Sequence, residues 1–231
     1  TFTHYKHIYV TMPARIIQSK FRFTKLAKYF KTIFAFSLII LLTAFWGLEI
    51  SSKQATVAGA YCSFTCAIII WGWQELAFLL GYITGSRRSD CPQGLSGMRR
   101  AWYAFQTINY HEMTLLGLGL VLFLMNLDAL NQTGFWTYII LWGMRQSTKI
   151  NIFLGVLNFN EAFLPQHLKY LITYFRRRAM NLLMPFSILV SVLFLVPIWF
   201  HAASQSSAYE MTSSALLGTL LALGLLEHLF L

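Results

Sequence analysis

The sequence predicts an all-α bundle that spans a membrane several times. Three observations predict it. The chain is 57% hydrophobic and only 11% charged, whereas a soluble domain carries about 25% charged residues. Crossing a bilayer as a helix takes about 20 mostly apolar residues, and apolar runs of that length recur along the chain. Those runs do not alternate in polarity and far exceed a barrel strand of about 10 residues, which argues against strands.

Residues 1–29 are basic and polar, and read as a cytoplasmic N-terminal segment. They show no apolar core or small-residue cleavage site, so no cleavable signal peptide is expected. The remainder, 30–231, reads as the transmembrane domain. Its expected spans are residues 30–50, 55–83, 101–127, 134–157, 182–200 and 211–231. Every Lys and Arg except Lys53 falls in alternate, same-side segments: residues 1–31, the connection "GSRRSDCPQGLSGMRR", and the stretch between Arg145 and Arg178. The positive-inside rule then puts both ends of this sequence in the cytoplasm. The net charge of +10 is read as basic loops beside anionic lipid, with no nucleic-acid partner.

One stretch is not expected to span. In "AFLPQHLKYLITYFRRR", Leu164, Leu168, Leu171, Ile172 and Phe175 follow helical spacing on one face. Lys169 and Arg176 lie on the other. Residues 164–178 therefore read as an amphipathic helix lying on the cytoplasmic membrane surface. With the basic connection at 85–100 it forms a candidate docking surface for membrane partners, with Arg87, Arg88, Glu161, His167, Lys169 and Arg176 as its residues.

A charge near the centre of a span is costly and usually faces the bundle interior. Glu75, Glu112 and Arg145 are therefore the informative residues, with Lys149 one turn after Arg145. At the helical rise, Glu75 is expected about 12 Å deep and Glu112 about 16 Å deep from the cytoplasmic side. Asn109 and Glu112, three apart, share a face. Gly72 and Glu75 do too, and a glycine there permits close helix approach. The like charges of Arg145 and Lys149 need carboxylate partners, so Glu75 and Glu112 are expected to pair with them. Asn109, His111 and Asn151 complete the predicted buried polar site. His111 lies about 100° around the helix from Glu112, so the two need not face one cavity.

Four functional readings of that site stand open. It is a structural polar cluster, a pigment or quinone pocket with His111 as ligand or hydrogen-bond partner, a proton or solute path, or a carboxylate–histidine metal site. The last lacks a Glu-x-x-His pair of the kind di-iron bundles use, and no metal site is predicted. No HExxH, P-loop or GxSxG motif is present. Cys62 and Cys66 read as small buried thiols, and His201 and His228 as interfacial residues.

Several long motifs carry a family resemblance. They are "VAGAYCSFTCAIIIWGWQELAFLLGYITGSRR" (57–88), "CP" (91–92), "NYHE" (109–112), "LWGMRQSTKINIFLGVLNFNEAFLPQHLKYLITYFRRR" (141–178) and "MNLLMPFS" (180–187). Together they resemble the PuhE family, photosynthetic complex assembly proteins of purple phototrophic bacteria. The matching positions include Glu75, Gly81, Arg87, Arg88, Cys91, Pro92, His111, Glu112, Arg145, Lys149, Asn151, Asn158, Glu161, Pro165, His167 and Asn181. Family members carry a further apolar span ahead of the region matching residues 1–30. Here that region is basic, so the start is expected to be lost or this member to be shorter.

The resemblance implies a multi-pass protein of the bacterial inner, intracytoplasmic membrane. It implies an assembly factor or accessory subunit whose partners are lipids and reaction-centre or core-antenna subunits, with bacteriochlorophyll or carotenoid as the cofactors it would handle. The alternative is a membrane enzyme acting on a pigment or its isoprenoid through His111, Glu112 and Glu75.

Overall fold

The computed structural model describes the backbone of residues 13–159 and 164–231, and the side chains of Tyr29 and of the described residues from Thr32 onward. Among the described residues seven α-helices follow in order: α1 (Pro13–Ser52), α2 (Val57–Leu79), α3 (Gly97–Gln106), α4 (Asn109–Met125), α5 (Thr133–Leu154), α6 (Leu183–Ser204) and α7 (Ala208–Leu229). A 3-10 segment, Gln166–Tyr174, lies between α5 and α6. The described residues contain no strand beyond one isolated bridge, Val156 to Arg177. Packing divides the chain into two compact units between Ile39 and Ile40, inside α1.

Four helical stretches are long and apolar enough to cross a membrane: Thr32–Ser52 within α1, and α2, α6 and α7. α3 and α4 make a fifth if that bent pair counts as one crossing. The described residues thus form an all-helical membrane protein with four to five candidate spans. α5 has 22 residues, but Arg145 and Lys149 dilute its apolar character. It packs against α2, α4 and α7.

α2 is the central span. Of its apolar window 44% is buried, against 11–17% for the other three. Ile70 and Trp71 of α2 meet Leu41, Ala44 and Leu48 of α1, Leu115 and Leu122 of α4, and Tyr138 of α5. Tyr138 is fully buried and satisfies its hydroxyl by donating to the Leu115 carbonyl at 2.8 Å. A buried hydroxyl left without a partner costs about 1–3 kcal/mol, so this bond protects the core. The outer faces of α1 and α6 keep large apolar residues such as Leu42, Trp46, Phe194 and Phe200 exposed, as a lipid solvent allows.

At one end, Asn131 ties four elements together. Its side-chain amide donates to the Ser51 carbonyl (2.9 Å) and the Ser63 hydroxyl (3.0 Å). Its side-chain oxygen accepts from the Thr133 backbone N–H and the Tyr209 hydroxyl. At the other end, the 85–100 connection interlocks with the 3-10 segment. Arg87 Nε donates to the Tyr174 hydroxyl at 2.7 Å, and the Cys91 backbone N–H to Thr173 Oγ1 at 2.8 Å. Leu231 also lies at this end, its carbonyl accepting from the Asn158 N–H. The basic connections at 85–100 and 155–178 therefore share one end of the bundle.

Two expectations need correction. Residues 101–127 are not one continuous helix: α3 and α4 meet at a 68° bend. Gly85 lies against the break. A Cβ there would stand 2.2 Å from the Gln106 carbonyl oxygen, so the incoming chain presses on the backbone at 106–107. The Thr107 hydroxyl also turns back onto the Ala104 carbonyl at 2.5 Å. The second correction concerns 164–178. It is a 3-10 segment, and its buried residues Leu168, Leu171 and Tyr174 recur every three positions, the 3-10 period. Leu168 and Leu171 pack on Phe78 near the end of α2, with Ile108 beside them. That apolar face is covered by protein rather than laid on lipid.

Candidate functional site

The candidate site is built from α2, α4 and α5. Arg145 donates from Nη2 to Glu75 Oε2 at 2.9 Å. Lys149 Nζ lies 2.6 Å from Glu112 Oε1, and Gln146 Nε2 donates to Glu112 Oε2 at 2.6 Å. These are the carboxylate partners that two like charges one turn apart require. In a dry environment a lone charge is far costlier than a paired one, so helix packing and charge pairing select the same arrangement.

The site is shallower than helical counting suggests. α2 ends at Leu79, which leaves Glu75 about 6 Å from the helix end. Glu112 lies in the first turn of α4, where a carboxylate complements the helix dipole. The polar cluster therefore sits toward the end that carries the basic connections. Gly72, expected to admit a close helix, faces open space.

His111 is 1% exposed and points away from Glu112, toward α2. Its Nδ1 lies 3.2 Å from Gln74 Nε2, and Phe78 covers its ring at a centroid distance of 4.6 Å. Its Nε2 stands 3.9 Å from Glu75 Oε1. Neither atom has a hydrogen-bond partner. Axial ligation of a tetrapyrrole needs an imidazole nitrogen facing an opening. Here that nitrogen is buried and faces a carboxylate. The residues at His111 do not fit a pigment macrocycle.

The other predicted residues separate into different places. Asn109 does not join the ion pairs; its side-chain oxygen accepts from the Ser86 backbone N–H at 2.9 Å. Asn151 is fully buried on another face of α5, where its amide donates to Ser187 Oγ at 3.1 Å. Beside it, His228 Nε2 lies 2.8 Å from Ser147 Oγ. His228, in the last turn of α7, is buried at 2% exposure. Cys62 is exposed while Cys66 is buried, so the two thiols differ.

The expected docking residues are likewise divided. Arg87 is engaged inside the interlock and lies over the Tyr103 ring at 4.7 Å. His167 packs over Gly81, whose φ of +80° suits glycine. Arg88 and Lys169 are exposed, and Arg176 is half-buried. Glu161 lies outside the described residues. Burial pushes the Tyr170 hydroxyl above its ordinary range.

The residues that sequence reasoning missed are Gln74, Gln146, Ser147, Tyr174 and Asn131. Gln74 and Gln146 carried a usable signal: each is a polar side chain in an apolar run, adjacent to a charged one. Tyr174 and Asn131 carried none, because their partners are far away in sequence. Among the described residues no group of three His, Cys, Asp or Glu side chains is placed to hold a metal ion.

Two cavities open beside this framework. One, of about 330 Å³, lies between α2, α5 and α7 and has Glu75 and Arg145 in its lining. The other, of about 870 Å³, is an apolar groove among α5, α6 and α7.

Residues 21–231 match the family described as "Protein of unknown function (DUF3623)". The chain belongs to that family. A relative comes from Rhodobacter capsulatus, an "Uncharacterized 30.4 kDa protein in puhA 5'region". It is 35% identical over 192 residues, which cover 83% of this chain and 70% of the relative. The resemblance to the PuhE family agrees with both matches. No solved structure matches the chain.

Proposed function

We propose that this DUF3623 chain is a membrane-embedded assembly factor or accessory subunit for the photosynthetic reaction centre and its core antenna. The observation that carries the reading is the 35% identical relative in the puhA 5' region, together with the resemblance to photosynthetic complex assembly proteins. The geometry supports a binding role over catalysis. Both carboxylates of the polar site are held in ion pairs, which stiffen the contacts of α2 and α4 with α5. The interlocked 85–100 and 166–174 segments present Arg88 and Lys169 outward at one end. The proposed role is contact with partner subunits at this basic, cytoplasmic end of an inner-membrane bundle. Pigment ligation at His111 is not part of it.

A strain lacking the gene tests this, with core-complex content read from membrane absorption spectra. Reduced core complex is expected, restored by the wild-type gene and less well by an Arg88→Glu/Lys169→Glu variant. Wild-type amounts of core complex in the deletion strain would sink the proposal.

A second reading, a membrane enzyme acting on a pigment or its isoprenoid, draws support from one observation. His111 Nε2 and Glu75 Oε1 are buried, unpartnered and 3.9 Å apart. A cell carrying Glu75→Gln with an unaltered pigment profile would count against it.

A further inference from the structure

We propose that the cleft between α2, α5 and α7 binds an uncharged amphiphile that presents a carbonyl acceptor. This inference goes beyond the assembly role and does not depend on it. The cleft has the form of a small-molecule site, with mostly apolar walls and a few convergent polar groups. Trp71, Met144, Leu220 and Leu223 form walls, and Glu75 and Arg145 form the polar end. Its volume of about 330 Å³ lies at the small end of the range for ligand pockets, roughly 300–1,000 Å³. It suits a head group with part of a chain, not a whole lipid.

The polar end selects the ligand's chemistry. A guanidinium carries five N–H donors, and Glu75 takes a hydrogen bond from Nη2 alone. The Arg145 side chain stays 36% exposed, so donors remain for an acceptor in the cleft. Charge excludes the obvious competitor. The cleft's lining holds one cation, Arg145, and two carboxylates, Glu75 and Glu227. An anionic head group would meet one cation against two carboxylates, Glu227 being the exposed one. A neutral carbonyl accepts from Arg145 without that penalty. Its apolar remainder lies along Trp71 and Leu220.

The test uses the full chain in nanodiscs and two probes of one ring shape. Menadione carries two carbonyls, and 2-methylnaphthalene carries none. Equilibrium dialysis against empty nanodiscs separates binding from partitioning into lipid. One saturable menadione site per chain is expected, with 2-methylnaphthalene bound about tenfold or more weakly, as for loss of a hydrogen bond to a charged donor. Leu220→Trp, which fills the cleft from α7, should abolish the saturable component. Arg145→Lys keeps the charge on Glu75 but loses the planar fork, and should weaken menadione several-fold at an unchanged melting temperature. That variant keeps the test decisive where Leu220→Trp does not fold. Absence of a saturable site, equal binding of the two probes, or unaltered binding by a folded variant would overturn the proposal.

Discussion

Lys149 Nζ lies 2.6 Å from Glu112 Oε1, joining the C-terminal part of α5 to the first turn of α4. The two side chains are 19% and 12% exposed. Breaking such a pair strands a poorly hydrated charge, whereas replacing both members removes the need for either. Glu112→Gln is therefore expected to destabilise the bundle by about 1–3 kcal/mol, below the range for a fully buried pair. The double variant Glu112→Gln/Lys149→Met should recover much of that loss. A double-mutant cycle read by thermal unfolding in detergent checks it, and additive losses would argue that the pair is uncoupled.

Gly85 sets the approach of its connection to the α3–α4 break. An added Cβ would meet backbone at 2.2 Å, and backbone cannot step aside as a side-chain end can. The neighbouring Thr84 carbonyl accepts from the His111 N–H at 2.9 Å, so the strain would pass directly to the site. Gly85→Ala should cost about 1–3 kcal/mol, as overpacking does. A melting temperature equal to wild type would show that the break tolerates a side chain.

Tyr174 holds the interlock from both directions. Its hydroxyl accepts from Arg87 and donates to the Ser89 carbonyl at 3.0 Å. Tyr174→Phe removes both bonds and should free the 86–91 backbone, at a cost of about 1–3 kcal/mol locally. Cys91 is a native reporter within that stretch. Its labelling by a hydrophilic maleimide should accelerate in the variant, along with amide exchange at Ser86 and Cys91. Unaltered rates for both would mean that the remaining bonds, from Ser86 to Asn109 and from Cys91 to Thr173, suffice to hold the loop.

The charge pattern predicts that the two ends of the bundle face opposite sides of the membrane. Cys91 lies at the basic end, and Asp128 is an exposed position in the connection before α5. In a background with Cys62 and Cys66 replaced, Cys91 should be labelled only from the cytoplasmic side and Asp128→Cys only from the other. Labelling of both from one side would refute the topology. Asp128 serves here because Asn131, in the same connection, is only 2% exposed.

The sequence by itself determined the helical class, the membrane environment and the pairing of Glu75 and Glu112 with Arg145 and Lys149. Apolar length and composition suffice for the first two. The pairing was legible because a charge in an apolar run has few ways to be satisfied, and helical spacing limits which partners it reaches. Other features belong to the tertiary structure alone. The α3–α4 break lies where Gly85 packs against backbone some twenty positions away, and no local propensity records that approach. The 3-10 course of Gln166–Tyr174 follows from its packing on Phe78, since the same apolar spacing reads equally well as an amphipathic helix. The direction of His111 was likewise decided by packing. Once α4 begins at Asn109, His111 faces Gln74 and Glu75 while Glu112 faces α5, so two adjacent residues serve different neighbours.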